Sequence, residues 1–232
     1  IQDRVAVWDR LKNSVKENSR FFTNMDEFAQ YEYLTAGKSL HIGQKLYRSR
    51  VTPIGQKKIK WDKMGCPPKE LTTAGRANPI GIPYLYLSDS AKTTYFEVRA
   101  VYLDKLSVGT FRIEKDLKLI DFVYDVNLFL SYNDGSVPLK ETIIKKKVIE
   151  AISSDLSKPL RRYDSEIEYV PTQLICEYCR RIVDSEGATA DGITFESSLH
   201  KGGRNYVLFD ESAAKCIRVD SHEITRIDID RK

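Results

Sequence analysis

Histidine is scarce in this 232-residue chain: His41, His200 and His222 stand far apart. There are also only four cysteines, two methionines and two tryptophans. Scattered histidines show no metal-ligand spacing, and four cysteines are too few for the dense disulfide framework of a small secreted domain. Cys176 and Cys179 have the spacing of half a zinc or redox motif, but no second pair answers them. They lie in TQLICEYCRRIV, whose apolar period is helical, so they read as helix cysteines. Cys66, ahead of Pro67 and Pro68, reads as a loop thiol in a reducing compartment. No apolar run reaches the roughly 18–20 residues of a membrane-spanning helix, and IQDRVAVWDR does not read as a signal peptide. Internal repeats and low-complexity tracts are missing too. With 41% hydrophobic and 30% charged residues, composition excludes disordered, collagen-like and rod-like chains. The expectation is a soluble, globular, cytoplasmic protein with no membrane partner, and a core that needs neither disulfide nor metal.

Charge is nearly balanced, 37 Lys+Arg against 33 Asp+Glu, for +4 overall. The excess is local. Residues 45–76 hold nine basic side chains against Asp62 and Glu70, a net +7 that leaves −3 for the remainder. This stretch runs into a segment from Val51 to Ile82 with no helical or strand period, and a loop of that length is usually functional or disordered. A basic loop is most simply a solvated surface. The next reading is an anionic ligand, and then, with Trp61 among lysines, a nucleic-acid contact. A balance of +4 makes no case for a nucleic-acid partner.

Along the chain, helical and strand patterns are interspersed. Residues 1–40 read as helical, with Val5, Trp8, Leu11 and Val15 on one stripe. Thr23 and Asn24 cap a second helix that runs to Tyr33 and Leu34. This part is expected to be an N-terminal helical extension to a domain over residues 41–232. KLYRSR at 45–50 and Tyr84 to Leu87 read as strands. Ser88, Asp89 and Ser90 offer N-caps for a helix from Ala91 to about Tyr102, with Tyr95, Phe96 and Val101 inward. Gly109 to Ile113 and Leu117 to Asp121 read as a hairpin about Lys115 and Asp116. Helices follow over Lys140 to Leu156, with Ile143, Ile144, Val148 and Ile152 inward, and from Pro171 to before Gly187. Gly192 to Phe195, Asn205 to Phe209, Lys215 to Val219 and Glu223 to Ile229 read as closing strands. The sum is an α+β fold with a mixed or antiparallel sheet.

Three pieces carry chemistry. Arg48 sits on a strand that ends at the basic loop. In Gly75-Arg76-Ala77-Asn78-Pro79 a second arginine lies between a permissive Gly and a rigid Pro, so the turn can aim it. Arginine forks bind phosphate oxygens in pairs, which suits two arginines to a diphosphate. Arg50, on the same strand face as Arg48, could exchange roles with it. Glu97 is the only acid between Asp89 and Asp104, on an otherwise apolar stretch. Each has a plainer reading: a surface Glu97, a Tyr86 in strand core, a Ser197 satisfying a turn, an Asn205 setting one.

LYRSR, PPKELTTAGRANPIGIPYLYLSDSAKTTYFEVRA and DGITFESSLHKGGRNYVLF, in that order, resemble the RES domain, named for its Arg, Glu and Ser. The likeness runs from about Leu46 to Phe209. It implies a fold similar to bacterial ADP-ribosyltransferase toxins, with flanking helices on the β core, and an enzyme that degrades NAD⁺ by hydrolysis or phosphorolysis. NAD⁺ would then be a substrate, with inorganic phosphate as co-substrate in the second case, and no cofactor or metal is expected. Many relatives are toxins restrained by an Xre-type antitoxin, so a partner of that kind is implied; a homo-oligomer stays open. Position by position, the family's first Arg falls on Arg48, its GR arginine on Arg76, its Tyr on Tyr86, its Glu on Glu97 and its Ser on Ser197. Ser198 is the fallback, since Ser197 lies eight residues before Asn205 as the motif requires. Ala77 stands where relatives more often carry Trp. In these roles Glu97 would stabilise a ribosyl oxocarbenium ion, and Arg48 and Arg76 would clamp the diphosphate. Tyr86 would offer a face to nicotinamide or a hydroxyl to ribose, and Ser197 would hold a phosphate or ribose oxygen or the attacking group. Asn78 and Asn205 complete the expected substrate-binding set, with Ser198. The alternatives are protein ADP-ribosyl transfer and a non-catalytic nucleotide- or nucleic-acid-binding module.

Overall fold

The computed structural model describes residues 2–30, 34, 36–123, 138–158, 166–183 and 187–226. Among them, eight strands form one sheet: β1 (Ala36–Leu40), β2 (Lys45–Val51), β3 (Leu85–Ser88), β4 (Lys105–Ile113), β5 (Leu117–Asp121), β6 (Gly192–Glu196), β7 (Arg204–Leu208) and β8 (Ala214–Glu223). Their order is β1-β5-β6-β7-β3-β2-β4-β8. All pairs are antiparallel except β5 with β6, so the sheet is mixed and the class is α+β. The helices are α1 (Gln2–Val5), α2 (Val7–Glu17), α3 (Asp26–Gln30), α4 (Ala91–Glu97), α5 (Leu139–Ser157) and α6 (Val170–Cys179). No helix among the described residues is long and apolar enough to cross a membrane.

Strand alternation sorts the core onto two faces. Leu46, Leu85, Leu87, Phe111 and Leu208 belong to one buried cluster. Tyr84, Ile193, Phe195 and Val207 belong to the other, together with Ile144, Val148 and Ile152 of α5 and Cys176 and Cys179 of α6. The apolar stripe of α2 joins this second cluster: Trp8 is fully buried, and its Nε1 donates to Asp155 Oδ2 at 2.6 Å. Burial pushes both α6 thiols well up, and no metal-holding group of His, Cys, Asp or Glu exists among the described residues.

Several local expectations are corrected. Residues 36–40 are strand β1, not helix: a polar five-residue edge has no pattern of its own and is held by pairing with β5. Of the helix expected to reach Tyr33 and Leu34, α3 is described to Gln30, and residues 31–33 lie outside the described residues. α4 stops at Glu97, because Arg99 takes the left-handed conformation (φ 51°) that closes a helix end. Val101, beyond that end, is exposed; within α4, Phe96 is exposed with its ring stacked on His200, and Tyr95 is half-buried. β4 and β5 are consecutive but do not pair; β4 lies between β2 and β8, and β5 between β1 and β6. Lys215 to Val219 and Glu223 fall in one long strand, β8, and residues 227–229 lie outside the described residues.

One irregularity of pairing positions the site. β2 pairs with β4 over seven residues and β3 with β7 over four, but β2 and β3 meet only at Tyr47 and Ser88. Beyond that single pair the two strands diverge, and the sheet opens between them.

Candidate active site

A cavity of about 730 Å³ occupies this opening, within the roughly 300–1,000 Å³ typical of ligand sites. β2 contributes Tyr47, Arg48 and Ser49 to its wall, and β3 contributes Tyr86, Leu87 and Ser88. Glu97 and Arg99 enter from the end of α4, Arg76 and Asn78 from the basic segment, and Asn205 from β7.

In its wall a carboxylate is held by two donors. Ser197 Oγ donates to Glu97 Oε1 at 2.7 Å, and Asn205 Nδ2 donates to the same oxygen at 2.8 Å. No described group bonds Glu97 Oε2, which leaves that oxygen for a ligand. The Ser197 hydroxyl also accepts from His200 N at 3.1 Å and Leu199 N at 3.3 Å. With one bond donated and two accepted, the hydroxyl ties Glu97 to the turn that follows β6. Ser198 turns the other way: its hydroxyl donates to the Ser157 carbonyl, and it does not line the cavity. α4 itself is capped by Ser90, whose Oγ accepts from Thr93 N, and tied to β2 by a bond between Thr94 and Ser49 hydroxyls.

The same cavity is lined by cations. Arg48 Nη1 donates to the Tyr86 carbonyl at 3.0 Å, across the gap where β2 and β3 have parted. Its Nε is buried without a hydrogen-bond partner, and no carboxylate pairs with it among the described residues. Burial, with Arg50 alongside, holds the Arg48 guanidinium down to about 10. Arg50 is not exchangeable with it: Arg50 Nη2 donates to the Gly65 carbonyl at 2.5 Å, pinning the basic loop, and Arg50 does not line the cavity. Beyond Gly65, Cys66 is pushed up to about 12, by burial and by its bond to Glu211.

The turn from Gly75 to Asn78 is built around the Tyr86 phenol. Tyr86 OH donates to Asn78 Oδ1 at 2.7 Å and accepts from Ala77 N at 3.0 Å. That hydroxyl is therefore engaged by the turn, and burial pushes its ionisation well up; what Tyr86 offers a ligand is its ring. Asn78 Nδ2 donates to the Thr73 and Pro79 carbonyls, so Asn78 shapes the wall. Arg76 Nη1 donates to Leu156 O and Ser157 O, carbonyls of the last turn of α5, where a cation also suits the helix dipole. Ala77, where the resemblance expects an aromatic, is fully buried in the apolar cluster. Two residues that sequence reasoning missed hold the turn from α6: Thr172 Oγ1 donates to Arg76 O at 2.6 Å, and Gln173 Nε2 to Gly75 O at 2.8 Å. Nothing local could have flagged them, since they lie nearly a hundred residues away. Gly75 is required by space: a Cβ there would stand 2.4 Å from Asn78 Oδ1 and 2.8 Å from Tyr86 OH. Gly75→Ala is expected to break that pair and cost about 1–3 kcal/mol, read as a lowered denaturant midpoint.

A family model described as the RES domain matches residues 45–229. The chain belongs to the RES domain family. No curated protein and no solved structure matches it. The matched span of this RES domain takes in the whole cavity wall described above, from Tyr47 to Asn205.

Proposed function

We infer that this RES domain cleaves the bond between nicotinamide and ribose in NAD⁺, with water or inorganic phosphate as acceptor, and acts as a toxin or defence effector by depleting the dinucleotide. Family membership supports an NAD⁺-related role, and an ADP-ribosyltransferase-like fold and an Xre-type restraining partner belong to the same reading. The observation that carries it is Glu97, fixed through Oε1 and open at Oε2, facing one cavity with Arg48, whose Nε has no partner. Arg48 would take a diphosphate oxygen, and Glu97 Oε2 a ribose hydroxyl. The ribose–nicotinamide bond breaks with its electron pair on the nicotinamide nitrogen, which leaves as a neutral molecule. The cationic charge left on ribose is met by the Glu97 carboxylate. An oxygen of water or phosphate then bonds to the ribose carbon, giving ADP-ribose and a proton, or ADP-ribose phosphate.

The test is a product assay of purified protein on NAD⁺, with and without inorganic phosphate. Release of nicotinamide is expected, with ADP-ribose in plain buffer or its phosphate ester when phosphate is the acceptor. NAD⁺ left intact under both conditions would overturn both reactions, and label passed to proteins instead would make the enzyme a protein ADP-ribosyltransferase.

A further inference from the structure

Ser88 stands at the single residue pair that joins the two halves of the sheet. It pairs with Tyr47 of β2 on one side and with Asn205 of β7 on the other. In a sheet, directly opposed residues present side chains to the same face, so Tyr47, Ser88, Asn205 and its neighbour Phe195 form one row across the strands. All four line the cavity. Ser88 is 3% exposed and Asn205 6% exposed, so both polar groups must find partners within the protein.

They find each other. Ser88 Oγ donates to Asn205 Oδ1 at 2.8 Å, and Asn205 Nδ2 donates to Glu97 Oε1 at 2.8 Å. A side-chain amide has an acceptor at one end and donors at the other, and the reverse orientation would set its oxygen against a carboxylate oxygen. The carboxylate thus selects the orientation, and in it the Ser88 hydroxyl supplies the donor that holds Oδ1 in place. We propose that Ser88 is a positioning residue that fixes the Asn205 amide and, through it, the Glu97 carboxylate, so that Oε1 stays occupied and Oε2 faces the cavity. Its catalytic consequence rests on the reading of Glu97 given above. Ser88 bonds neither the carboxylate nor the reacting atoms; it acts through Asn205. The single pair with Tyr47 adds a reason for its place, because the carboxylate is then referenced to the strand that carries Arg48.

The test has two arms. In the first, ¹H–¹⁵N spectra follow the Asn205 side-chain amide, which is expected to be protected from exchange in wild type and Ser88→Thr and exposed to it in Ser88→Ala. An amide equally protected in Ser88→Ala overturns the proposal whatever the enzyme does. In the second, Ser88→Ala is expected to lower kcat for NAD⁺ cleavage roughly tenfold, the worth of about one hydrogen bond, with KM changed less than about twofold. Ser88→Thr restores the rate, and Ser88→Ala adds nothing further in an Asn205→Ala background. Full kcat in Ser88→Ala, or losses that multiply in the double variant, would also overturn it. If wild type leaves NAD⁺ intact while the amide still depends on Ser88, the functional reading falls and the positioning stands.

Discussion

Glu97→Gln is expected to lower kcat for NAD⁺ cleavage by about 10²–10³-fold while leaving the fold in place. Glutamine has the same shape, and its carbonyl can keep accepting from Ser197 Oγ and Asn205 Nδ2, so the packing and the two bonds to Oε1 survive. What disappears is the negative charge, and with it the acceptor at Oε2. A carboxylate aimed at a developing ribosyl cation acts mainly in the transition state, so KM is expected to move far less than kcat. Thermal unfolding checks the premise: the midpoint should stay within about 1–2 °C of wild type, as for a substitution worth under about 0.5 kcal/mol. A folded Gln variant that keeps more than about a tenth of the rate would show that the charge of Glu97 is not what the reaction uses. A second check separates field from hydrogen bonding, because Ser197→Ala removes one donor to Oε1 and leaves the charge. Its loss should be the smaller of the two, near tenfold.

Most of the elements were legible in the sequence because their signals are local. The α2 stripe of Trp8, Leu11 and Val15, the inward Ile144, Val148 and Ile152 of α5 (Ile143, also expected inward, is only half-buried) and the strands around Tyr86 and Arg48 follow from periodicity. What was misread depends on distant partners. β4 and β5 look like a hairpin because they are adjacent in sequence, yet each binds strands more than fifty residues away. Ser88 looks like a helix cap because a helix follows; the cap is Ser90, and Ser88 belongs to the sheet. Ser197 and Ser198 are indistinguishable by composition, but they follow the end of β6 and their side chains diverge, one to Glu97 and one to α5. The local excess of charge was a sound pointer to a region and a poor one to residues. Of the nine cations in residues 45–76, only Arg48 and Arg76 line the cavity, and Arg76 already spends one nitrogen on a helix end. The other seven lie outside it, Arg50 on the Gly65 carbonyl and Lys58 on that of Val219 among them. Of these nine, Arg48 is thus the cavity-lining cation that is not spent on a helix end.

Arg48→Met is therefore expected to stabilise the ligand-free protein and abolish its response to nucleotide. Folding places this guanidinium in a half-buried setting beside Arg50, with no carboxylate partner and with Nε unpaired. Burial holds it down to about 10, which is the sign of a cation that folding disfavours. For a base whose ionisation is lowered by folding, the penalty is present in full below that value and relieved only as the solution becomes more alkaline than about pH 10. Removing the charge should thus raise stability by about 1 kcal/mol evenly across neutral pH, after the lost bond to the Tyr86 carbonyl is set against the gain. A diphosphate would offset the same penalty in the wild-type protein by pairing with Arg48 in the cavity. Measured in a Glu97→Gln background, where NAD⁺ cleavage is expected to be slow, nucleotide at a hundred times its Kd should add about 2.7 kcal/mol to the Arg48 protein and almost nothing to the Met protein. The two stability curves would then cross as nucleotide is added. A residue present only for packing gives no crossing, since its loss would lower stability with and without nucleotide alike. If the Met protein keeps its response to nucleotide, the diphosphate is held elsewhere in the cavity; if it is the less stable without ligand, the bond to the Tyr86 carbonyl outweighs the burial of the charge.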